Sequence, residues 1–240
     1  MAYTLVLEGV EALIDIEFDR LYAHMVAGEW VHVRERCEEL LCDSKSAAWA
    51  HLLLGYSELH VHNFDAAFHH FQLGSHAPEP LRSESIAGMG RALLGSSCGS
   101  EALELLQDLV SRYPVCHFAW QALGETLAAL GNYEQAWLCA KRATQLSPTH
   151  GASMALLVAT GNSLGQHAEL VSCLEEIQRA QPANLDVRGA RALSLLREER
   201  FAEAADEMAR VIAFAPFAKV SPAVLEAIRQ SISAINKGEG

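Results

Sequence analysis

Residues 120–148 read WQALGETLAALGNYEQAWLCAKRATQLSP, and their pattern decides the fold. Two runs rich in Ala, Leu, Glu and Gln favour helix, and the group Gly131-Asn132-Tyr133 between them favours a turn. Pro148 closes the second run, because proline donates no helical hydrogen bond and restricts the residue before it. Gly124 lies inside the first run and Ala136 inside the second. Antiparallel helices approach closely only where side chains are small. These two positions are therefore expected contact points, with Trp120, Leu123 and Tyr133 filling the space around them.

The pattern recurs. Pro114, Pro148, Pro182 and Pro216 follow one another at intervals of 34 residues, each after a helical stretch ending SRYP, QLSP, RAQP or AFAP. The windows 83–116, 117–150, 151–184 and 185–218 follow from that spacing, and two more fit upstream. Window 48–82 is one residue longer, with Gly55, Asn63, Phe64, Ala67 and Phe71 in register and the extra residue near Pro78 and Pro80. Window 14–47 has Gly28-Glu29-Trp30 at its internal turn. A fixed period of this size marks an array of identical supersecondary units that bury their apolar faces against one another.

These residues resemble the tetratricopeptide repeat (TPR) family. Window 117–150 carries the pattern most fully, in Trp120, Leu123, Gly124, Gly131-Asn132-Tyr133, Ala136, Ala143 and Pro148, with Leu127 and Ala140 in place of the family's usual aromatics. Gly90, Ala102, Gly165, Phe201 and Ala204 keep the phase elsewhere. The resemblance implies an all-α, right-handed α-solenoid of six helical hairpins over 14–218. Residues 1–13 are then an N-terminal extension or the start of the first helix, and 219–240 a capping helix and frayed tail. In SPAVLEAIRQSISAINK, Ser221 is placed to cap the helix and Pro222 to open it, with Val224, Leu225, Ile228, Ile232 and Ile235 on one stripe.

Composition narrows the functional classes. Half of the 240 residues are apolar and a fifth charged, which suits a packed soluble chain. The net charge of −12 is uneven: residues 1–82 carry 13 acidic and 5 basic side chains. Nucleic-acid binding rests on clustered Lys and Arg and is not expected, and the acidity also argues against the related 35-residue RNA-binding repeat. No apolar run approaches the roughly 18–20 residues of a membrane span, and the segment MAYTLVLEGVEALIDIEFDR lacks a basic head, so membrane insertion is not expected and a cytoplasmic location is. The six scattered cysteines form no C-x-x-C pair and read as free thiols.

In TPR proteins the first helices of the hairpins line a concave groove, so the resemblance implies that a partner binds there. Its expected lining is Asp15, Asp19, Tyr22, Met25 and Val26, then Trp49, Leu52, Tyr56, Leu59 and His60. Further along come Arg91 and Leu94, then Phe118, Gln121 and Glu125, then Asn162, and finally Asp186, Leu193, Leu196 and Arg197. Aromatic and Met side chains are frequent anchors for protein partners. With Asp15 and Asp19 beside them they suit an apolar or basic-amphipathic segment of another protein. The clamp lysines of carboxylate-binding co-chaperones are missing, since Asp19 and Leu52 stand in their place.

Eight of the eleven histidines lie between His24 and His76. His60-x-His62 and His69-His70 point to different helix faces and no H-x-x-x-H pair occurs, so spacing alone prearranges no metal site and no cofactor is expected. Arg188, Arg191, Arg197 and Arg200, interleaved with Glu198, Glu199 and Glu203, read as a salt-bridged surface. No P-loop, dinucleotide-binding glycine pattern, G-x-S-x-G or H-E-x-x-H is present. The expected function is a non-enzymatic scaffold, adaptor or chaperone-like protein. A self-associating subunit, and a regulator acting through the histidine cluster, are the alternatives.

Overall fold

The computed structural model describes residues 17–25, 27–42, 46–216 and 220–237. Asp15, Val26, the 1–13 extension and the 238–240 tail lie outside the described residues, as does the side chain of Ile235. The described chain is helices and short connections: α1 (17–25), α2 (Trp30–Leu40), α3 (Ala47–His60), α4 (Phe64–Gly74), α5 (Leu81–Gly95), α6 (Gly99–Arg112) and α7 (His117–Ala129), followed by α8 (Tyr133–Leu146), α9 (Gly151–Leu164), α10 (His167–Ala180), α11 (Leu185–Arg197), α12 (Phe201–Phe214) and α13 (Pro222–Lys237).

The period is written into the backbone. At the turn inside each hairpin one residue takes positive φ: Gly28 (84°), His62 (60°), Ser97 (64°), Gly131 (82°), Gly165 (67°) and Glu199 (59°). Such a residue reverses the chain after a helix at little cost when it is glycine. Some helix starts carry a side-chain cap, whereas Asn63 at the start of α4 makes none and donates its Nδ2–H to Glu58 Oε2 at 2.8 Å. Asn132 accepts from the Gln135 backbone N–H, and Asn184 accepts from those of Asp186 and Val187. Ser221 Oγ accepts from the Val224 N–H at 3.3 Å, as its cap position leads one to expect.

The chain divides into two compact units, residues 1–126 and 127–240. In the first unit, Leu21, Met25, Val33, Cys37, Trp49, Leu53 and Leu54 form one core cluster, and Leu52, Ala67, Phe71 and Ala92 form another. Phe71 on α4 is fully buried between two glycines: a Cβ on Gly55 of α3 or Gly88 of α5 would fall 2.6 Å or 2.5 Å from its ring. The missing side chains are what let three helices close on one aromatic ring.

In the second unit, Trp137, Ala140, Leu156, Leu157, Leu170, Leu174 and Ile177 form the main core. The final helix, α13, covers the end of this unit by burying Ile228 against Ala192, Met208 and Val211, with Val224, Leu225 and Ile232 around it.

Two expectations change. Tyr133 is 40% exposed, so it does not fill a hairpin interior, whereas Leu123 and Ala136 are buried as expected. Trp120 is half-buried and donates its Nε1–H to the Pro114 carbonyl at 2.9 Å. The arginines of α11 do not pair with Glu198 or Glu199. Arg188 and Arg191 both donate to Glu207 of α12, at 2.7 Å and 2.9 Å, and Arg191 also reaches Glu175 of α10 at 2.7 Å. The antiparallel return of the chain brings Glu207 to these guanidiniums, and it is only 6% exposed. Of the expected surface pairs, Arg200 with Glu203 forms.

Candidate partner-binding face

Within the first unit, α1, α3, α5 and the start of α7 contribute side chains to one connected polar and aromatic set. Tyr56 of α3 donates its hydroxyl to Glu84 Oε1 of α5 at 3.0 Å, and its ring meets Phe71 edge-on at 5.2 Å between centres. One helical repeat on, Arg91 Nε donates to Glu125 Oε2 at 2.8 Å, and Gln121 Nε2 donates to Glu125 Oε1 at 2.6 Å. Gln121 is buried, and its Oε1 has no hydrogen-bond partner among the described residues.

The electrostatics of this set are dominated by burial. Glu84 is 6% exposed, and desolvation lifts its carboxyl to about 7 against the lowering pull of the Tyr56 hydrogen bond and the Arg91 charge. The same carboxylate acts on the tyrosines. Burial first, then the charge of Glu84, raises the Tyr22 and Tyr56 hydroxyls above the usual tyrosine value, so both remain neutral donors. With Arg91 committed to Glu125, an ionised Glu84 has one hydroxyl donor and no salt-bridge partner among the described residues.

The residues expected to line the groove are placed unevenly. Met25 (9% exposed), Trp49 (4%) and Leu52 (0%) are core residues and present no contact surface, because their apolar side chains gain more by packing between helices than by facing water. Phe18 makes that packing possible: its ring lies 5.8 Å from Trp49 and 6.0 Å from Tyr22. Tyr22, Tyr56, Leu59 and Phe118 are half-buried, and Asp19 and His60 are exposed. His60 stacks on Trp30 at 4.3 Å and 16°, and the Phe118 ring centre is 3.9 Å from that of His117.

Sequence reasoning misses Glu84, although a signal is present. Glu84 stands in α5 where Trp49 stands in α3 and Phe118 in α7, at separations of 35 and 34 residues. Among the described residues no group of three or more His, Cys, Asp or Glu side chains could hold a metal ion, and no helix is long and apolar enough to cross a membrane.

No family model and no curated protein matches the sequence. Solved structures do. The thermophilic TPR protein TTC0263 of Thermus thermophilus superposes with a TM-score of 0.54 at 21% identity, covering 77% of this chain and 98% of that one. Nearly identical kinesin light chain TPR-like repeats from Podosopora anserina give 0.53 at 17% identity, covering 72% and 96%. MamA from Desulfovibrio magneticus RS-1 gives 0.51 at 14% identity, covering 72% and 97%. At these identities the likeness is one of fold. The chain has the tetratricopeptide repeat fold, an all-α array of helical hairpins.

Proposed function

We propose that the chain is a non-enzymatic interaction scaffold or adaptor of six repeats (14–47, 48–82, 83–116, 117–150, 151–184 and 185–218), closed by the capping helix α13 (Pro222–Lys237). Its first unit binds an apolar or basic-amphipathic segment of another protein along α1, α3, α5 and the start of α7. The observation that carries this reading is that α1 and α3, successive first helices, keep Asp19 and His60 exposed and Tyr22, Tyr56 and Leu59 half-buried, with the Tyr56 hydroxyl held by Glu84 of α5. They offer partly accessible rings beside the exposed carboxylate of Asp19, within an N-terminal stretch rich in acidic residues. Such a surface favours a cationic, partly apolar segment over an acidic one.

The residues suited to a test are those at the surface, since truncating Trp49 or Leu52 removes core. The experiment is binding of labelled basic-amphipathic and acidic helical peptides to the wild type and to an Asp19→Arg/Tyr22→Ala variant whose helicity and Tm are checked first. The basic peptide is expected to bind the wild type at least tenfold more tightly than the acidic one and to lose that preference on the variant. Equal binding of both peptides, or no effect of the substitutions, overturns the assignment. Sedimentation of the purified chain tests the competing reading. A stable dimer broken by Asp19→Arg makes the same face a subunit interface instead.

A further inference from the structure

His51 of α3 and His70 of α4 bring their Nδ1 atoms to 3.1 Å, with ring centres 5.3 Å apart and planes inclined by 37°. At that distance two neutral imidazoles share one N–H···N bond, one ring protonated at Nδ1 and the other accepting through its Nδ1 lone pair. The same spacing suits a chelate. A zinc-type ion bonds imidazole nitrogen at about 2.0–2.1 Å. Two nitrogens on one such ion are then about 3.3 Å apart in tetrahedral geometry and about 2.9 Å in square-planar geometry. The observed separation falls between the two.

We propose that His51 and His70 form a two-imidazole site for a divalent transition metal of the zinc, copper or nickel class, clipping α3 to α4. Both rings bind through Nδ1. The ring that donates in the metal-free pair passes its proton to its own Nε2 through solvent, so neutral rings bind without net proton loss. Water fills the other coordination positions, since no third His, Cys, Asp or Glu joins the pair among the described residues.

The surroundings suit this role. On α4, His69 lies beside the pair, its ring centre 6.2 Å from that of His70. On α3 and α2, Glu58, Glu38 and Arg34 act on His70, and Arg34 is paired with Glu58 at 3.2 Å. Two carboxylates therefore face one paired guanidinium near His70, negative charge that a bound cation would partly offset. Burial, reinforced by the histidine neighbours, holds both imidazoles below their ordinary pKa, and for His70 it prevails over the opposing carboxylates. Both rings are therefore in the unprotonated form that metal binding requires at neutral pH.

The test is thermal unfolding of the full chain with Zn²⁺, Ni²⁺ or Cu²⁺, with Mg²⁺ as control, for the wild type and for His51→Gln, His70→Gln and His76→Gln. At about a hundredfold excess over Kd, a metal held only by the folded state raises Tm by roughly 5–10 °C for a chain of this size. That rise is expected in the wild type and His76→Gln and absent in His51→Gln and His70→Gln. No rise with any transition metal, or a rise that survives both pair substitutions, overturns the site. Should either Gln variant fail to fold, histidine-labelled NMR of the wild type decides. Zn²⁺ must shift the Nδ1 signals of His51 and His70, and unchanged signals refute the proposal.

Discussion

Gly88 and Glu84 lie one helical turn apart on α5 and illustrate opposite single-residue constraints. At Gly88 the constraint is steric: an added Cβ would fall 2.5 Å from Phe71 Cδ1, and Gly55 closes the other side of the ring. Replacing a mid-helix glycine with alanine favours the helix by up to about 1 kcal/mol, but overpacking a filled core costs about 1–3 kcal/mol. Gly88→Ala is expected to lower Tm, and Gly88→Ala/Phe71→Leu to recover part of the loss. At Glu84 the constraint is electrostatic. Its folded pKa of about 7 lies above the ordinary carboxyl value of 4.5, so the folded state holds the proton more tightly than the unfolded one. The stability this contributes is fully present below about pH 4.5 and is lost as pH rises through 7, a span worth about 3 kcal/mol. Glu84→Gln keeps an acceptor for Tyr56 but has no proton to lose. Urea unfolding at pH 5 and pH 8 is expected to show that the variant escapes the wild type's decline over that range.

Among the elements, the hairpin turns and the capping helix carry the clearest consequences. Gly28, Gly131 and Gly165 take positive φ without penalty, whereas His62, Ser97 and Glu199 do so against the Cβ sterics of an L-residue. Glu199→Gly is expected to stabilise the second unit by about 0.5–1 kcal/mol, the relief of strain exceeding the added chain entropy. A higher urea midpoint at unchanged slope is the result to look for. Sequence shows three of these turns through their glycines. At the other three the positive φ is hidden, because polar residues at a turn do not announce its sign. The capping helix is legible from its apolar stripe and its Ser221-Pro222 start. What it covers is visible only in the folded chain, where Ile228 is fully buried. Ile228→Ala is expected to cost about 2–5 kcal/mol. A loss below about 1 kcal/mol in chemical unfolding would show that α13 is dispensable to the second unit.

For the whole molecule the leading quantity is charge. The net charge is −12, and residues 1–82 hold 13 acidic against 5 basic side chains. Attraction between such a surface and a basic segment is screened over about 10 Å at 0.1 M salt. Peptide affinity is therefore expected to fall when salt is raised from about 50 to about 500 mM, chiefly through a slower association rate. Salt-independent binding would place the affinity in apolar contacts instead.

The 34-residue recurrence of Pro114, Pro148, Pro182 and Pro216, with Gly131 and Pro148 bounding one helix, determined by itself that this protein is a helical repeat chain. Helix ends follow from local rules of proline, glycine and capping residues, which act within a few positions and need no partner helix. Which aromatics stay accessible was decided only by the tertiary structure. Trp49 and Leu52 are in phase with a groove, yet neighbouring helices bury them, while Glu84 and the His51–His70 pair acquire their roles from residues 19 or more positions away. Periodicity determines the face of a helix on which a side chain lies. Burial, pKa and chemical company depend on what the rest of the chain packs against that face.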